Sequence, residues 1–82
     1  MRDKQQSTFY IVDYEWTGQH ILFVKAAGFD AEKGKAFEEV IKFLRGRPFG
    51  DSIHPQKSSL SAACRKGLHA YITKKFNDKE FD

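Results

Sequence analysis

Apolar and polar residues alternate from Thr8 to Trp16, in the stretch TFYIVDYEW. One face takes Tyr10, Val12, Tyr14 and Trp16, and the other takes Phe9, Ile11, Asp13 and Glu15. Aromatic and β-branched side chains pack well on a pleated surface, so the stretch predicts a strand. Thr17-Gly18 reads as a tight turn, since glycine enters positive φ without steric cost. Gln19 to Ala27 predicts a second, antiparallel strand. Ile21, Phe23 and Lys25 fall on one of its faces and Leu22, Val24 and Ala26 on the other. A strand apolar on both sides is usually central, with both faces covered. A lone hairpin has no central strand. Either a short third strand around Ser52 to His54 pairs with it, or a second copy of the chain does.

The period changes after Gly28. Asp30 suits a helix N-cap and Glu32 the positive end of a helix dipole. Phe37, Val40, Ile41 and Leu44 recur at helical spacing, with Ala36 and Phe43 widening the stripe. Gly34 weakens the first turn by about 1 kcal/mol relative to alanine. Gly46 is placed to end this helix and Pro48 to keep it from resuming. A loop over residues 47–57 follows. A last helix starts near Ser58 or Ser59 as cap, with Leu60, Ala63, Cys64, Leu68, Tyr71 and Ile72 as its apolar stripe. Arg65, His69 and Thr73 run along the opposite side, with Lys66 beside them. Residues 1–7 and 77–82 are expected to fray. The expected fold is α+β in the order β-β-α-(β)-α, a small antiparallel sheet packed against two helices, as one domain over residues 1–82.

Composition agrees with a small globular domain. A chain of 82 residues buries roughly 60–65% of its unfolded surface, so its margin of stability is modest. With 40% hydrophobic residues and eight phenylalanines it can still build a core. No aliphatic or aromatic run is longer than the four residues of Ile21 to Val24, too short for a membrane span, and the first eight residues lack the apolar stretch of a signal peptide. The single cysteine, Cys64, cannot form an internal disulfide. The expectation is a soluble, cytoplasmic protein with no membrane partner.

Charge changes the picture more. Residues 1–39 carry five basic and seven acidic side chains, whereas residues 40–77 carry eight basic ones against Asp51 alone, a net of +7. Such a block attracts partners of opposite sign. The candidate nucleic-acid or anion contacts are Lys42, Arg45, Arg47, Lys57, Arg65, Lys66, Lys74 and Lys75. His54, Ser58, Ser59 and His69 join them, because HPQKSS leads into a helix N-terminus, whose free N–H groups favour anions. Arg45-Gly46-Arg47-Pro48 matches the core of an AT-hook. Its place between Leu44 and Phe49, after a run of apolar periodicity, makes it a helix end instead.

The expected function is therefore a non-enzymatic module that binds an acidic macromolecule, nucleic acid first, through its basic half. The first alternative is a regulator or inhibitor acting by protein–protein contact. It rests on the doubly apolar second strand and the sheet edge that strand implies, which could also bring two copies together. A base-stacking platform of Tyr10, Tyr14 and Trp16 is outweighed by their reading as a core face. A small ribonuclease using His54 or His69 with nearby lysines is the third class. The loop HPQK followed by a helix is similar to the end of HicA-type mRNA-cleaving toxins, but the helix expected first is absent and no glycine-plus-histidine pair lies on a strand. His20, His54, His69 and Cys64 show no CxxC or HxxxH spacing and no nucleotide-binding glycine loop is present, so no metal and no cofactor is expected.

Overall fold

The first hairpin forms where alternation predicts it. In the computed structural model, which describes residues 6–82, β1 (Thr8–Trp16) pairs antiparallel with β2 (Ile21–Asp30). The chain then departs from the expected order. Lys35–Leu44 is not a helix but a third strand, β3, paired along its whole length with β2. The apolar spacing that imitates a helix arises because both faces of β3 carry apolar side chains. Ala36, Val40 and Leu44 lie on one face and Phe37, Ile41 and Phe43 on the other, and the two sets overlaid give the i, i+3, i+4 pattern. Val40, Ile41 and the two phenylalanines also carry strand propensity. β4 (Arg47–Phe49) completes a four-stranded sheet in the order β1-β2-β3-β4. The tetrapeptide read as a helix end is a hairpin. Arg45 (φ 54°) and Gly46 (φ 85°) both take positive φ, as a two-residue turn between right-twisted strands requires.

The strand expected around Ser52 to His54 is a 3-10 turn, Asp51–Ile53, and the described residues hold one α-helix, α1 (Ala62–Asn77). The fold is α+β with a four-stranded antiparallel sheet and one helix. That helix covers one face of the sheet. Leu22, Val24 and Ala26 of β2 and Ile41 and Phe43 of β3 form the core with Leu60, Cys64, Leu68, Ile72 and Phe81. β2 is interior to the sheet, but only one of its faces is buried.

Two details set how β1 joins this core. Its register shifts between Ile11 and Asp13, a β-bulge at Val12. Phe9 and Ile11 before the bulge, and Tyr14 and Trp16 after it, are all opposite core-facing residues of β2, so simple alternation assigns the wrong face to half the strand. Trp16 and Tyr14 then meet the chain's last residues. The Trp16 Nε1–H donates to the Phe81 carbonyl (2.7 Å), and the Tyr14 ring stands edge-on to Phe81 at 5.1 Å. Residues 77–82 therefore do not fray. They turn back through Lys79 (φ 61°) and bury Phe81 beside Phe43, because an aromatic ring supplies more burial than the short tail loses in freedom. Of the other expected tail, residues 1–5 lie outside the described residues, and the Ser7 hydroxyl accepts the Ala31 N–H (3.0 Å).

Asp30 closes the arrangement. It stands at the end of β2 and accepts N–H bonds from Glu32 (3.2 Å) and Lys33 (3.3 Å), as a cap would, but Gly34 at φ 65° returns the chain into β3. Its second task lies far away in sequence. The Ser61 N–H (2.7 Å) and Ser61 hydroxyl (2.8 Å) both donate to the Asp30 carboxylate, and Ser61 Oγ accepts the Cys64 N–H as the cap of α1. The carboxylate is 1% exposed. Burial pushes its pKa up, but the bonds from Ser61, Lys33 and Glu32 outweigh burial and hold it below the ordinary carboxylate value.

Two outcomes follow from these contacts. A Cβ on Gly28 would collide with the Thr8 carbonyl and come within 3.0 Å of the Phe37 ring, so Gly28→Ala should cost about 1–3 kcal/mol in urea unfolding by forcing β1 away from β2. Asp30→Ala should cost about 3 kcal/mol by stranding buried donors. Because the folded pKa is depressed, the Asp30 contribution is fully present above the unfolded carboxylate pKa and fades as pH falls through the lower folded value. Comparison of wild type with Asp30→Asn should show a stability gap at pH 7 that shrinks below about pH 4.

Candidate functional site

The sheet separates the basic residues before any partner is considered. Lys42 is opposite Phe23 and Phe49, and Arg47 is opposite Leu44, so both lie on the face of the sheet that the helix leaves open. Arg45 is at the tip of the β3–β4 hairpin. His54 and Lys57 are exposed in the loop before α1, where His54 Nδ1 accepts the Gln56 N–H (3.1 Å). Arg65, Lys66, His69, Lys74 and Lys75 are on α1. The expected single basic surface is thus divided between opposite sides of the sheet, with Arg45 at the hairpin tip.

The helix surface follows from the cap. Ser61 starts α1, and Cys64, Leu68 and Ile72 at spacings of four point into the core. This leaves Ala62, Ala63, Lys66, His69, Ala70, Lys74 and Asn77 exposed and Arg65 half-buried. Arg65 and His69, four apart, share one side of the helix. Lys74 pairs with Asp78 (2.8 Å) and Lys75 with Glu80 (3.0 Å), and these hydrogen bonds hold both ammonium groups above the ordinary lysine value. They are the two ion pairs found among the described residues, and neither involves Arg65, Lys66, Lys57, Arg45, Arg47 or Lys42.

The expected anion pocket at the helix N-terminus does not form from Ser58 and Ser59. The Ser58 hydroxyl accepts the Leu60 N–H (3.1 Å), and the Ser59 carbonyl accepts the Lys33 ammonium (2.6 Å). The cap is Ser61, and the carboxylate of Asp30 already occupies the place where an external anion would sit. Sequence spacing hides this, because Asp30 and Ser61 come together only when β2 lies under the helix.

The remaining chemistry is sparse. Cys64 is fully buried and burial pushes its thiol pKa up, so it is a core residue. Among the described residues no three His, Cys, Asp or Glu side chains are grouped to hold a metal ion. A surface depression of about 340 Å³ is lined by Trp16, Gln19, His20, Arg45, Gly46 and Phe76, which brings neither His54 nor His69 to it. No helix among the described residues is long and apolar enough to cross a membrane. Comparison with protein-family models, curated proteins and solved structures finds no significant match for this chain.

The feature least visible in the sequence is the open face of the sheet. It carries Tyr10, Phe23, Phe29, Val40, Leu44 and Phe49, each between 37 and 57% exposed. The signal for it was the doubly apolar β2 pattern, which implies a cover on each side. On the covered side, Glu39 is half-buried opposite Ala26, and burial together with the nearby Asp51 carboxylate raises its pKa. A raised carboxylate pKa means that ionisation opposes folding. Glu39→Gln should raise the melting temperature by a few degrees at pH 7, and the gain should vanish below about pH 4, where the native side chain is protonated in both states.

Proposed function

We propose that the chain is a non-enzymatic nucleic-acid-binding module whose contact surface is the outer side of α1 with the loop before it. One observation carries the reading: every charged residue from Ala62 to Asn77 is positive, and Arg65 and Lys66 have no carboxylate within 4.0 Å among the described residues. The exposed Ala62, Ala63 and Ala70 beside them keep this surface low, so that a phosphate backbone can approach the helix closely. Lys57 and His54, exposed in the loop before α1, extend the surface toward that loop. Contacts of this kind bind phosphate and give affinity without base preference. Lys74 and Lys75 contribute less, since each is already engaged by a carboxylate.

Fluorescence anisotropy with a labelled oligonucleotide tests the reading. Binding at about 50 mM salt should weaken steeply as salt is raised, and Arg65→Ala or Lys66→Ala should each lower the slope of log K against log salt by about 1. Lys74→Ala should change the slope less. Absence of binding at low salt, or a slope unmoved by both α1 variants, would remove the proposal.

A further inference from the structure

We infer that the open face of the sheet is the contact surface of a symmetric homodimer, in which two copies pack sheet against sheet with their helices outward. The solvated face of an antiparallel sheet is normally its polar one. Here six large apolar side chains from all four strands stand on it, Tyr10, Phe23, Phe29, Val40, Leu44 and Phe49. Taking about 200 Å² for an aromatic side chain, they expose together on the order of 500 Å², at the upper end of what a monomer leaves uncovered. This is a large share for a molecule with 5661 Å² of accessible surface.

Charge identifies the occupant. Among the described residues the open face holds three acids, Asp13, Glu15 and Glu38, and three bases, Lys25, Lys42 and Arg47. Balanced charge gives no field to draw in phosphate, and the aliphatic Val40 and Leu44 offer no ring for a base to stack on. The charges are also sorted by position. Asp13 and Glu15 are on the edge strand β1, whereas Lys42 and Arg47 are on β3 and β4 at the other side of the sheet.

That sorting is self-complementary under one symmetry operation. A twofold axis lying between the two sheets and parallel to the strands sets β1 of one copy across from β4 of the other. Asp13 and Glu15 on β1 of each copy then face β4 of its partner, which carries Arg47, and β2 with Lys25 lies over β3 with Glu38. The other in-plane twofold, perpendicular to the strands, would set acids on acids. The geometry therefore selects aligned sheet packing, with each patch meeting its own copy. The dimer stands on observations separate from the nucleic-acid reading and leaves the basic side of each α1 outermost.

Light scattering after size exclusion tests this at about 100 µM, a concentration well above the Kd of a modest interface. Wild type should elute at twice the 9.5 kDa of one chain. The double variant Phe23→Glu with Val40→Glu should be monomeric with unchanged circular dichroism, its dimer Kd raised by at least roughly 30-fold. Glu15→Lys and Arg47→Glu should each weaken the dimer, and the two together should restore it, which a merely sticky surface would not do. The α1 variants Arg65→Ala and Lys66→Ala should keep the dimer mass, whatever they do to nucleic-acid binding. A monomeric wild type at this concentration would overturn the inference. So would a dimer that survives the double variant, which would mark pairing through the strand edges. A monomer that loses nucleic-acid binding in the double variant would make this face a nucleic-acid platform and equally overturn it.

Discussion

The buried carboxylate of Asp30 joins parts of the chain that are far apart in sequence. One side chain caps the turn from β2 into β3 and holds Ser61, the N-cap of the helix, against the end of the sheet. A buried carboxylate without partners would be costly, but this one accepts bonds from three backbone N–H groups and a hydroxyl, which makes the ionised form the stable one. Its geometry decides where α1 begins and therefore which side chains of α1 face the core. Ser61 passes the same constraint on, since its hydroxyl both donates to Asp30 and caps the helix.

The second constraint is arithmetic: the described chain forms a sheet with two faces and one helix to cover them. On the covered face the side chains interdigitate, with Phe43 stacked on Phe76 at 4.7 Å and Phe81 closing the end beneath Tyr14. The bulge at Val12 lets β1 contribute Phe9, Ile11, Tyr14 and Trp16 to that face despite its odd register. The open face keeps a comparable set of apolar side chains without a cover from the described residues. The same partition divides the basic residues, placing Lys42 and Arg47 on one side of the sheet and the helical cations on the other. A net charge summed along the chain does not describe a surface.

Much of the candidate site was legible and its grouping was not. The absence of acids from Arg65 to Lys75 can be read directly, and so can the helix that presents those cations. Pairing of Lys74 with Asp78 at i, i+4 was equally open to reading, since both residues lie within one turn. The filled helix N-terminus was hidden, because its occupant comes from a strand 31 residues earlier. Ser58 and Ser59 looked like caps because serine suits that place locally, yet local preference cannot say which of three nearby serines meets the carboxylate.

Alternation over Thr8–Trp16, the doubly apolar β2 and the apolar stripe of α1 follow from side-chain type and spacing, and these the sequence determined by itself. They set a hairpin, a helix and an α+β class. Tertiary structure alone decided the fate of residues 35–44. Their apolar positions satisfy a helix and a two-faced strand equally well, and pairing with β2 along ten residues settled the choice. It also decided the fate of the C-terminal tail, whose Phe81 has no local partner and finds one only in the assembled core. The physical reason is the same in both cases. Periodicity records which side chains avoid water, whereas the surface that shelters them is supplied by residues distant in the chain.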